Sequence, residues 1–287
     1  MSPLDVTRPN LIVGCGYLGR RVAARWLAAG LRVAALTRGN ATPLSQLGID
    51  PISGDVLDPA SLRKLPAAVT VLYAVGLDRT AGHSMHAVYV DGLANVLDTL
   101  PACERFVYIS STSVYGQTDG ELVNETSSTE PREESGRIVL AAEELLRSRQ
   151  PHAIILRFGG IYGPGRLLRR EALLKNEAVF ADADKWLNLI HVDDGVEAIL
   201  AAESRGAPGE IYNAVDDEPV RQREFYTYLA GLIGAPTPRF EDVEEPRSAN
   251  RRISNAKAKA ELGWYPRFVS YREGLPSSLG PAPQPDV

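Results

Sequence analysis

Short apolar runs alternate along the chain with segments whose apolar residues recur at helical spacing. The runs predict strands and the other segments predict helices, with no repeat unit and no linker. The alternation predicts an α/β fold with a doubly wound parallel sheet and right-handed crossovers, which binds ligands at the carboxyl ends of its strands. The predicted strands are residues 11–13, 32–36, 49–52, 69–75, 105–109, 153–158 and 210–214. The predicted helices include 84–100, 136–149, 221–232 and 255–262.

Two more helix starts are predicted from capping residues. Asp58-Pro59 has the form of an N-cap followed by proline at the first helical position, in a short helix that would run to residue 65. Asp193 or Asp194 would cap a helix that runs to residue 202.

The first strand leads into a glycine-rich turn, GCGYLG (14–19), and then into a helical pattern. Strand, glycine turn and helix in this order aim backbone N–H groups and a helix N-terminus at a pyrophosphate. Gly14 would make the tight turn, Gly16 would let the phosphates approach, and Gly19 would let helix and strand pack closely. The alternative is a plain tight turn. The predicted cofactor-binding residues of this segment are Gly14, Gly16, Tyr17, Leu18 and Gly19.

The residues after the second strand bear on the choice between NADP and NAD. An acidic residue about 20 positions past the glycines would accept a hydrogen bond from the ribose 2′-OH of NAD. This chain has Thr37 and Arg38 there, and a guanidinium fits a 2′-phosphate as a fork. We therefore expect NADP, with NAD less favoured, and Arg38 as one of its ligands. The alternative is that Arg38 is a solvated loop charge.

Later strand ends offer further candidate contacts. Asp55 follows the third strand and is either an acceptor for the adenine amino group or an Asx-turn residue. Val75 and Gly76 end the fourth strand, where backbone can lie beside a cofactor. The hydroxyl cluster 110–113 follows the fifth strand, and ordinary turn chemistry explains it equally well.

Beyond the glycine-rich segment 159–165, Arg169 and Arg170 could receive a phosphate or carboxylate group of a substrate or could simply be solvated.

Composition excludes several classes of function. The formal net charge is −5, from 31 basic and 36 acidic residues, which gives no electrostatic case for nucleic acid. No run of 18 apolar residues predicts a membrane span, and residues 1–10 lack the features of a signal peptide, so we expect a cytoplasmic protein with no membrane partner. Two cysteines and four scattered histidines provide neither a disulfide framework nor metal-ligand spacing.

Several motifs together resemble the extended short-chain dehydrogenase/reductase superfamily, in its NAD-dependent epimerase/dehydratase family. Besides the glycine turn and Gly54-Asp55, they are SSTSVYG (110–116), LRFGGIYGPG (156–165), LIHVDD (189–194), IYNAVDDEP (211–219) and RRISNAKAKAELGW (251–264). The resemblance implies a Rossmann-type NAD(P)-binding core at 1–160, to which 188–215 returns. It also implies a small C-terminal substrate lobe at 161–187 and 216–275, and a possible homodimer. We expect residues 276–287 to be a disordered tail.

The resemblance also assigns roles. Ser111 matches the residue that hydrogen-bonds the reacting hydroxyl or carbonyl, segment 159–161 matches backbone near the nicotinamide, and His191 matches a structural turn. One departure is Val13, where most members have an earlier glycine. A larger one is at the family's Tyr-x-x-x-Lys pair, whose positions hold Ser135 and Val139. A serine hydroxyl beside valine is too weak an acid to replace that pair unaided.

Two functions remain. One is an NADP-dependent oxidoreductase or epimerase/dehydratase-like enzyme that acts on a carbonyl or sugar-nucleotide-like small molecule with a different proton donor. Ser111 would then be catalytic, with Tyr115 as the nearest candidate phenol and Tyr162 as a second. The other is a non-catalytic NADP-sensing protein that regulates a protein partner. We favour the enzyme, and the sequence does not identify its substrate.

Overall fold

The computed structural model describes residues 8–39, 41–177, 179–241 and 249–280. Its strands, in chain order, are β1 (Asn10–Val13), β2 (Val33–Thr37), β3 (Asp50–Ser53), β4 (Thr70–Tyr73), β5 (Arg105–Ser111), β6 (Leu122–Val123), β7 (Ile154–Phe158), β8 (Gly160–Tyr162), β9 (Val179–Ala181), β10 (Trp186–Leu187), β11 (Leu189–His191), β12 (Ile211–Ala214), β13 (Val220–Arg221), β14 (Arg239–Glu241) and β15 (Arg252–Ile253). Its α-helices are α1 (Tyr17–Ala28), α2 (Thr42–Gln46), α3 (Pro59–Leu62), α4 (Gly92–Thr99), α5 (Glu134–Arg149), α6 (Arg170–Leu174), α7 (Val192–Arg205), α8 (Gln222–Ile233), α9 (Ala256–Leu262) and α10 (Tyr271–Ser278).

A seven-stranded parallel sheet organises the chain, in the order β12-β7-β5-β4-β1-β2-β3. The chain builds β1, β2 and β3 toward one edge and then returns to place β4 on the other side of β1. The connections at the carboxyl ends of β1 and β4 therefore diverge at a topological switch point, where open α/β sheets bind ligands. The doubly wound parallel sheet predicted from the sequence is confirmed.

Helices cover both faces of this sheet. One face packs under α1, α7 and α9, with Trp26 and Ile199 in its core, and the other packs under α4 and α5, with Leu93 and Leu146. A third apolar cluster lies apart, among α6, α8 and α10. It draws almost entirely on the two segments that the resemblance assigns to a substrate lobe.

The predicted helix 84–100 is divided in the structure. A π-helical segment, Ala87–Asp91, precedes α4. Val88 and Leu93 are both buried and lie five residues apart, which is the spacing of a π turn rather than of an α-helix. Gly92 packs so closely on Val56 that an added Cβ would lie 2.8 Å from its side chain.

The start of α7 corrects a prediction. Neither aspartate caps the helix, because the N-cap is His191, whose Nδ1 accepts the N–H of Asp193 at 3.2 Å. The Asp194 carboxylate is buried and accepts the backbone N–H groups of Arg267 and Phe268 at 2.8 and 3.0 Å. Asp194 thus ties the C-terminal segment to the core. By contrast, Asp58 caps α3 as predicted, although α3 ends at Leu62.

The C-terminal boundary also needs correction. Helix α10 includes residues 276–278, which were expected to begin a disordered tail, because Leu275 and Ser278 are buried. The Ser278 hydroxyl donates to the Gly274 carbonyl at 2.6 Å. Residues 281–287 of the expected tail lie outside the described residues.

No helix in the described ranges has the length and apolar character needed to cross a bilayer. These ranges also contain no group of three or more histidine, cysteine, aspartate or glutamate side chains arranged to hold a metal ion.

Candidate functional site

A cavity of about 870 Å³ opens at the carboxyl edge of the sheet, over the switch point between β1 and β4. This volume is within the range of about 300–1,000 Å³ typical of small-molecule and cofactor sites. Its walls are the glycine turn, the segments that follow β2, β3 and β4, and side chains near the ends of β5 and β8. The predicted cofactor residues that line it are Gly14, Gly16, Tyr17, Leu18, Arg38, Asp55, Val75 and Gly76.

The three glycines of the turn have different surroundings. Gly14 has a φ of +96°, and an added Cβ would lie 2.5 Å from the Ala74 carbonyl group. Gly19 lies behind the cavity, where an added Cβ would lie 2.7 Å from the Gly14 carbonyl oxygen. Gly16 is the N-cap of α1 and has no atom within 4 Å of its added Cβ. The turn therefore leaves open space in front of a helix N-terminus, the geometry that binds phosphate.

Arg38 stands at the cavity wall after β2. Its Nη2 lies 3.4 Å from Oδ2 of Asp78, and both side chains are partly exposed. Hydrogen bonds from Thr80 lower the pKa of the Asp78 carboxyl, so that it stays ionised. Asp78 was not singled out in the sequence, where it follows Gly76 by two positions without a recognisable motif. This acidic partner lies beside the Arg38 guanidinium, for which binding of a 2′-phosphate stays a prediction.

Asp55 makes the Asx turn that is one of its two interpretations from the sequence, and its contact with adenine stays a prediction. Its Oδ1 accepts the backbone N–H of Leu57 at 2.9 Å, which is an Asx turn. The residue also lines the cavity, so Oδ2 remains for a second donor. Val75 and Gly76 line the same wall, and an added Cβ at Gly76 meets no atom within 4 Å.

Ser111 is the last residue of β5. Its Oγ accepts the backbone N–H of Ser113 at 3.1 Å, which leaves its hydroxyl hydrogen for another acceptor. Ile109, two residues earlier, lines the cavity. Since alternate residues of a strand share a face, Ser111 lies one step beyond the inner end of the cavity.

Tyr115 does not fit the expected role of proton donor. Its ring is fully buried, and its hydroxyl accepts from Arg157 and donates to Asn213, each at 3.0 Å. Burial raises the pKa of this phenol. Tyr115 therefore belongs to the interior behind the strand ends and not to the cavity.

A buried ion pair completes that interior network. The Glu143 carboxylate accepts two hydrogen bonds from Arg157, at 2.7 and 3.0 Å, and one from the Ser110 hydroxyl at 2.5 Å. Both charged side chains are at most 4% exposed. Glu143 thus joins α5, β5 and β7 directly behind Ser111, a role that no sequence motif indicates.

Tyr162 does not reach the cavity either. It is fully buried and packs edge-on against His191. Its hydroxyl lies where a Cβ of Gly274 would be, and burial raises its pKa strongly. This second candidate phenol is therefore enclosed between the core and α10.

The basic residues after the second glycine segment also lie elsewhere. The Arg169 guanidinium lies over the Phe180 ring, at 5.3 Å, and Arg170 pairs with Glu171 at 2.9 Å. Neither residue lines the cavity. Arg166 does, and its Nε donates to the Ile161 carbonyl at 3.2 Å.

The start of α5 packs against the turn that follows Ser111. An added Cβ at Gly136 would lie 2.4 Å from the Ser113 carbonyl oxygen, so this contact needs glycine. Ser135 is in the first turn of the helix, partly exposed. Val139 is buried in an apolar cluster that contains Val114. The start of α5 thus lies against the turn that follows Ser111, and it carries neither a phenol nor an amine at these two positions.

Comparisons with known proteins agree with this geometry. The sequence matches the model of the NAD dependent epimerase/dehydratase family over residues 10–214. Protein YeeZ of Escherichia coli (strain K12) is 30% identical over 266 residues, which cover 88% of this chain and 93% of that protein.

Two further proteins extend the comparison. dTDP-6-deoxy-L-talose 4-dehydrogenase (NAD(P)(+)) of Kitasatospora kifunensis is 25% identical over 290 residues, with 91% of each chain covered. The structure of the dTDP-glucose 4,6-dehydratase DesIV from Streptomyces venezuelae, with NAD and TYD bound, aligns with a TM-score of 0.79 over 94% of this chain and 95% of that one. At 22% identity this last likeness is one of fold.

Proposed function

Because the chain belongs to the NAD-dependent epimerase/dehydratase family of the extended short-chain dehydrogenases/reductases, we propose that it is an NADP-dependent oxidoreductase or epimerase/dehydratase-like enzyme. Its substrate would be a carbonyl compound or a sugar-nucleotide-like small molecule. The observation that carries the proposal is that one continuous cavity runs from the glycine turn to Ile109, with Ser111 just beyond.

The residues on the cavity wall fit a dinucleotide. Gly16 and the N-terminus of α1 would hold the pyrophosphate, Asp55 the adenine, and Arg38 the 2′-phosphate of NADP. Bound there, the cofactor would supply or accept a hydride. The talose dehydrogenase relative is named for both NAD and NADP, and the cavity's Arg38 supports the phosphorylated form.

Ser111 would orient the substrate at the inner end. Its Oγ is fixed by the Ser113 N–H, and its own O–H would donate to the carbonyl oxygen on which negative charge develops. With Tyr115 and Tyr162 enclosed, the final proton would come from solvent or from a cationic side chain near the Ser111 turn.

A second function is favoured by one observation. The start of α5 presents Ser135 and Val139 where an enzyme of this family would need an acid and its activating cation. A protein that binds NADP and regulates a partner would retain the cavity and need neither group.

Turnover separates the two functions. We expect the protein to oxidise NADPH in the presence of at least one member of a panel of ketones, aldehydes and nucleotide sugars. Saturable NADPH binding with no turnover on the whole panel would support the sensing protein instead.

A further inference from the structure

One arginine reaches the Ser111 turn from a distant part of the chain. Nη2 of Arg251 donates to the Thr112 carbonyl at 2.6 Å, and Thr112 directly follows Ser111. The two residues are 139 positions apart in the sequence. This bond brings a guanidinium from the C-terminal part of the chain against the residue proposed to orient the substrate.

The same guanidinium has hydrogen-bonding capacity left. Its Nε is enclosed by protein and has no hydrogen-bond partner among the described residues. Within those residues Arg251 also forms no direct ion pair with a carboxylate. A guanidinium has five N–H donors, and leaving one of them enclosed without an acceptor is unfavourable. The arrangement therefore favours an acceptor that comes from outside the chain.

The backbone around Arg251 connects it to the other wall of the site. Asn188 donates from its side chain to the Arg251 carbonyl and accepts from the Ile253 N–H, at 2.9 and 2.7 Å. The Asn188 carbonyl in turn accepts the N–H of Gly160 at 2.8 Å. Gly160 precedes Ile161, which lines the cavity. Asn188 thus lies between Arg251 and the segment that the family resemblance places beside the nicotinamide. At the other end of segment 185–188, the Trp186 N–H donates to Oδ1 of Asn250, the residue before Arg251, at 2.9 Å.

Lys185 begins this segment and supplies a second cation. Burial lowers the pKa of Lys185 and of Arg251, and the charge of Arg251 lowers that of Lys185 further. Glu133 and Asp182 act in the opposite direction on Lys185, and Glu133 does so on Arg251. In both cases burial outweighs the attraction of these carboxylates, and the pKa remains lowered.

We propose that Arg251 and Lys185 form a subsite that binds an anionic group of the substrate, a carboxylate or a phosphate, and so places the reacting carbon next to Ser111. This inference rests on the proposed function and narrows it to anionic substrates. An anion there would accept from the Arg251 guanidinium and lie between two positive charges. Arg169 and Arg170, the cations expected from the sequence, do not face this place.

The first test needs only the unaltered protein, saturated with NADP+. 3-Oxobutanoate and its uncharged methyl ester have the same carbonyl and differ in charge, and inorganic phosphate represents the other source of anion. We expect 3-oxobutanoate or phosphate to bind at least about tenfold more tightly than the ester in a calorimetric titration, as one charged hydrogen bond predicts. The anion that binds identifies the source.

Variants then locate the binding. We expect Arg251→Gln and Lys185→Gln each to weaken the anion about tenfold, with NADP+ affinity unchanged. Arg252→Gln is the matched control, because its exposed guanidinium donates to the Gly120 carbonyl instead. If Arg251→Gln does not fold, Arg251→Lys and Lys185→Gln carry the test.

Either of two results would overturn the subsite. One is that neither 3-oxobutanoate nor phosphate binds more tightly than the ester, and the other is unchanged anion affinity in the folded variants. Loss of NADP+ binding by the unaltered protein would instead contradict the proposed function, so the two failures are distinguishable.

Discussion

We propose that Arg38 sets the cofactor preference of the cavity. Its guanidinium lies at the end of β2, 3.4 Å from the carboxylate of Asp78, which lines the same wall. In Arg38→Asp we expect NADP+ affinity to fall about 10- to 100-fold and NAD+ affinity to stay level or rise, since a carboxylate repels the phosphate and accepts from the hydroxyl.

Parallel titrations of both nucleotides would measure this preference. Arg170→Gln is the control, because Arg170 is exposed, paired with Glu171 and outside the cavity. An unaltered preference for NADP+ in Arg38→Asp would show that Arg38 is only a solvated loop charge.

Ser111 is the residue that we propose orients the substrate. Its hydroxyl is fixed by the Ser113 N–H at the inner end of the cavity. With any substrate that the protein turns over, we expect Ser111→Ala to reduce kcat by about 100-fold, the usual cost of one donor to a developing oxyanion. NADPH binding should not change, because Ser111 lies beyond the cofactor-lining residues. Ser113→Ala, which keeps the backbone N–H, serves as the comparison, and a fully active Ser111→Ala would remove Ser111 from the mechanism.

At the scale of elements, Glu143 holds α5, β5 and β7 together behind the site. Its carboxylate is the buried counter-charge of Arg157 and the acceptor for Ser110. In Glu143→Gln the guanidinium would remain buried without a counter-charge, so we expect a loss of about 3 kcal/mol in the free energy of unfolding.

Urea denaturation would check that value. The exposed neighbour Glu144→Gln is the control, with an expected change within about 0.5 kcal/mol. If Glu143→Gln were as stable as the unaltered protein, the ion pair would not be what fixes the strand ends.

The elements show what the sequence can predict. Apolar runs located the interior strands of the central sheet, because a strand buried on both faces is a continuous apolar run. The edge strand β3 was also predicted, although its residues are exposed or only partly buried. The π turn before α4 escaped detection, since it shifts the buried face by one residue and leaves composition unchanged. Most residues that line the cavity could also be predicted, because they follow strands whose carboxyl ends a parallel sheet brings to one edge.

The surroundings of Ser111, where we propose that the substrate binds, were not predictable in the same way. Arg251 meets the Ser111 turn only through the fold, and no spacing rule connects residues so far apart in sequence. Tyr115 and Tyr162 belong to two of the motifs that carry the family resemblance, yet both side chains are buried in the interior. Which way a tyrosine beside a strand end faces depends on the packing of the surrounding elements.

For the whole molecule, Asp216 links stability to pH. It is 2% exposed, and burial raises its pKa well above the ordinary value, outweighing the backbone hydrogen bond from Glu218 that lowers it. A group whose pKa is higher in the folded state favours folding at low pH, and that contribution is lost as pH rises through the folded pKa.

The uncharged Asp216→Asn should therefore be more stable than the parent protein at pH 8. We expect the difference to shrink toward pH 4, changing by up to about 1.4 kcal/mol per pH unit in between. Thermal melts across this range would measure it, with exposed Asp119→Asn as a control that shows no such trend. A pH-independent difference would mean that the Asp216 carboxyl is ionised in the folded protein.

We propose that the molecule is built around a dinucleotide cavity at the β1/β4 switch point. This proposal is tested most directly by titrating the purified protein with NADPH and, separately, with NADH, and following nucleotide fluorescence. We expect saturable binding of NADPH that is at least about tenfold tighter than binding of NADH, because one charged contact with the 2′-phosphate should contribute that much. No binding of either nucleotide at millimolar concentration would contradict it.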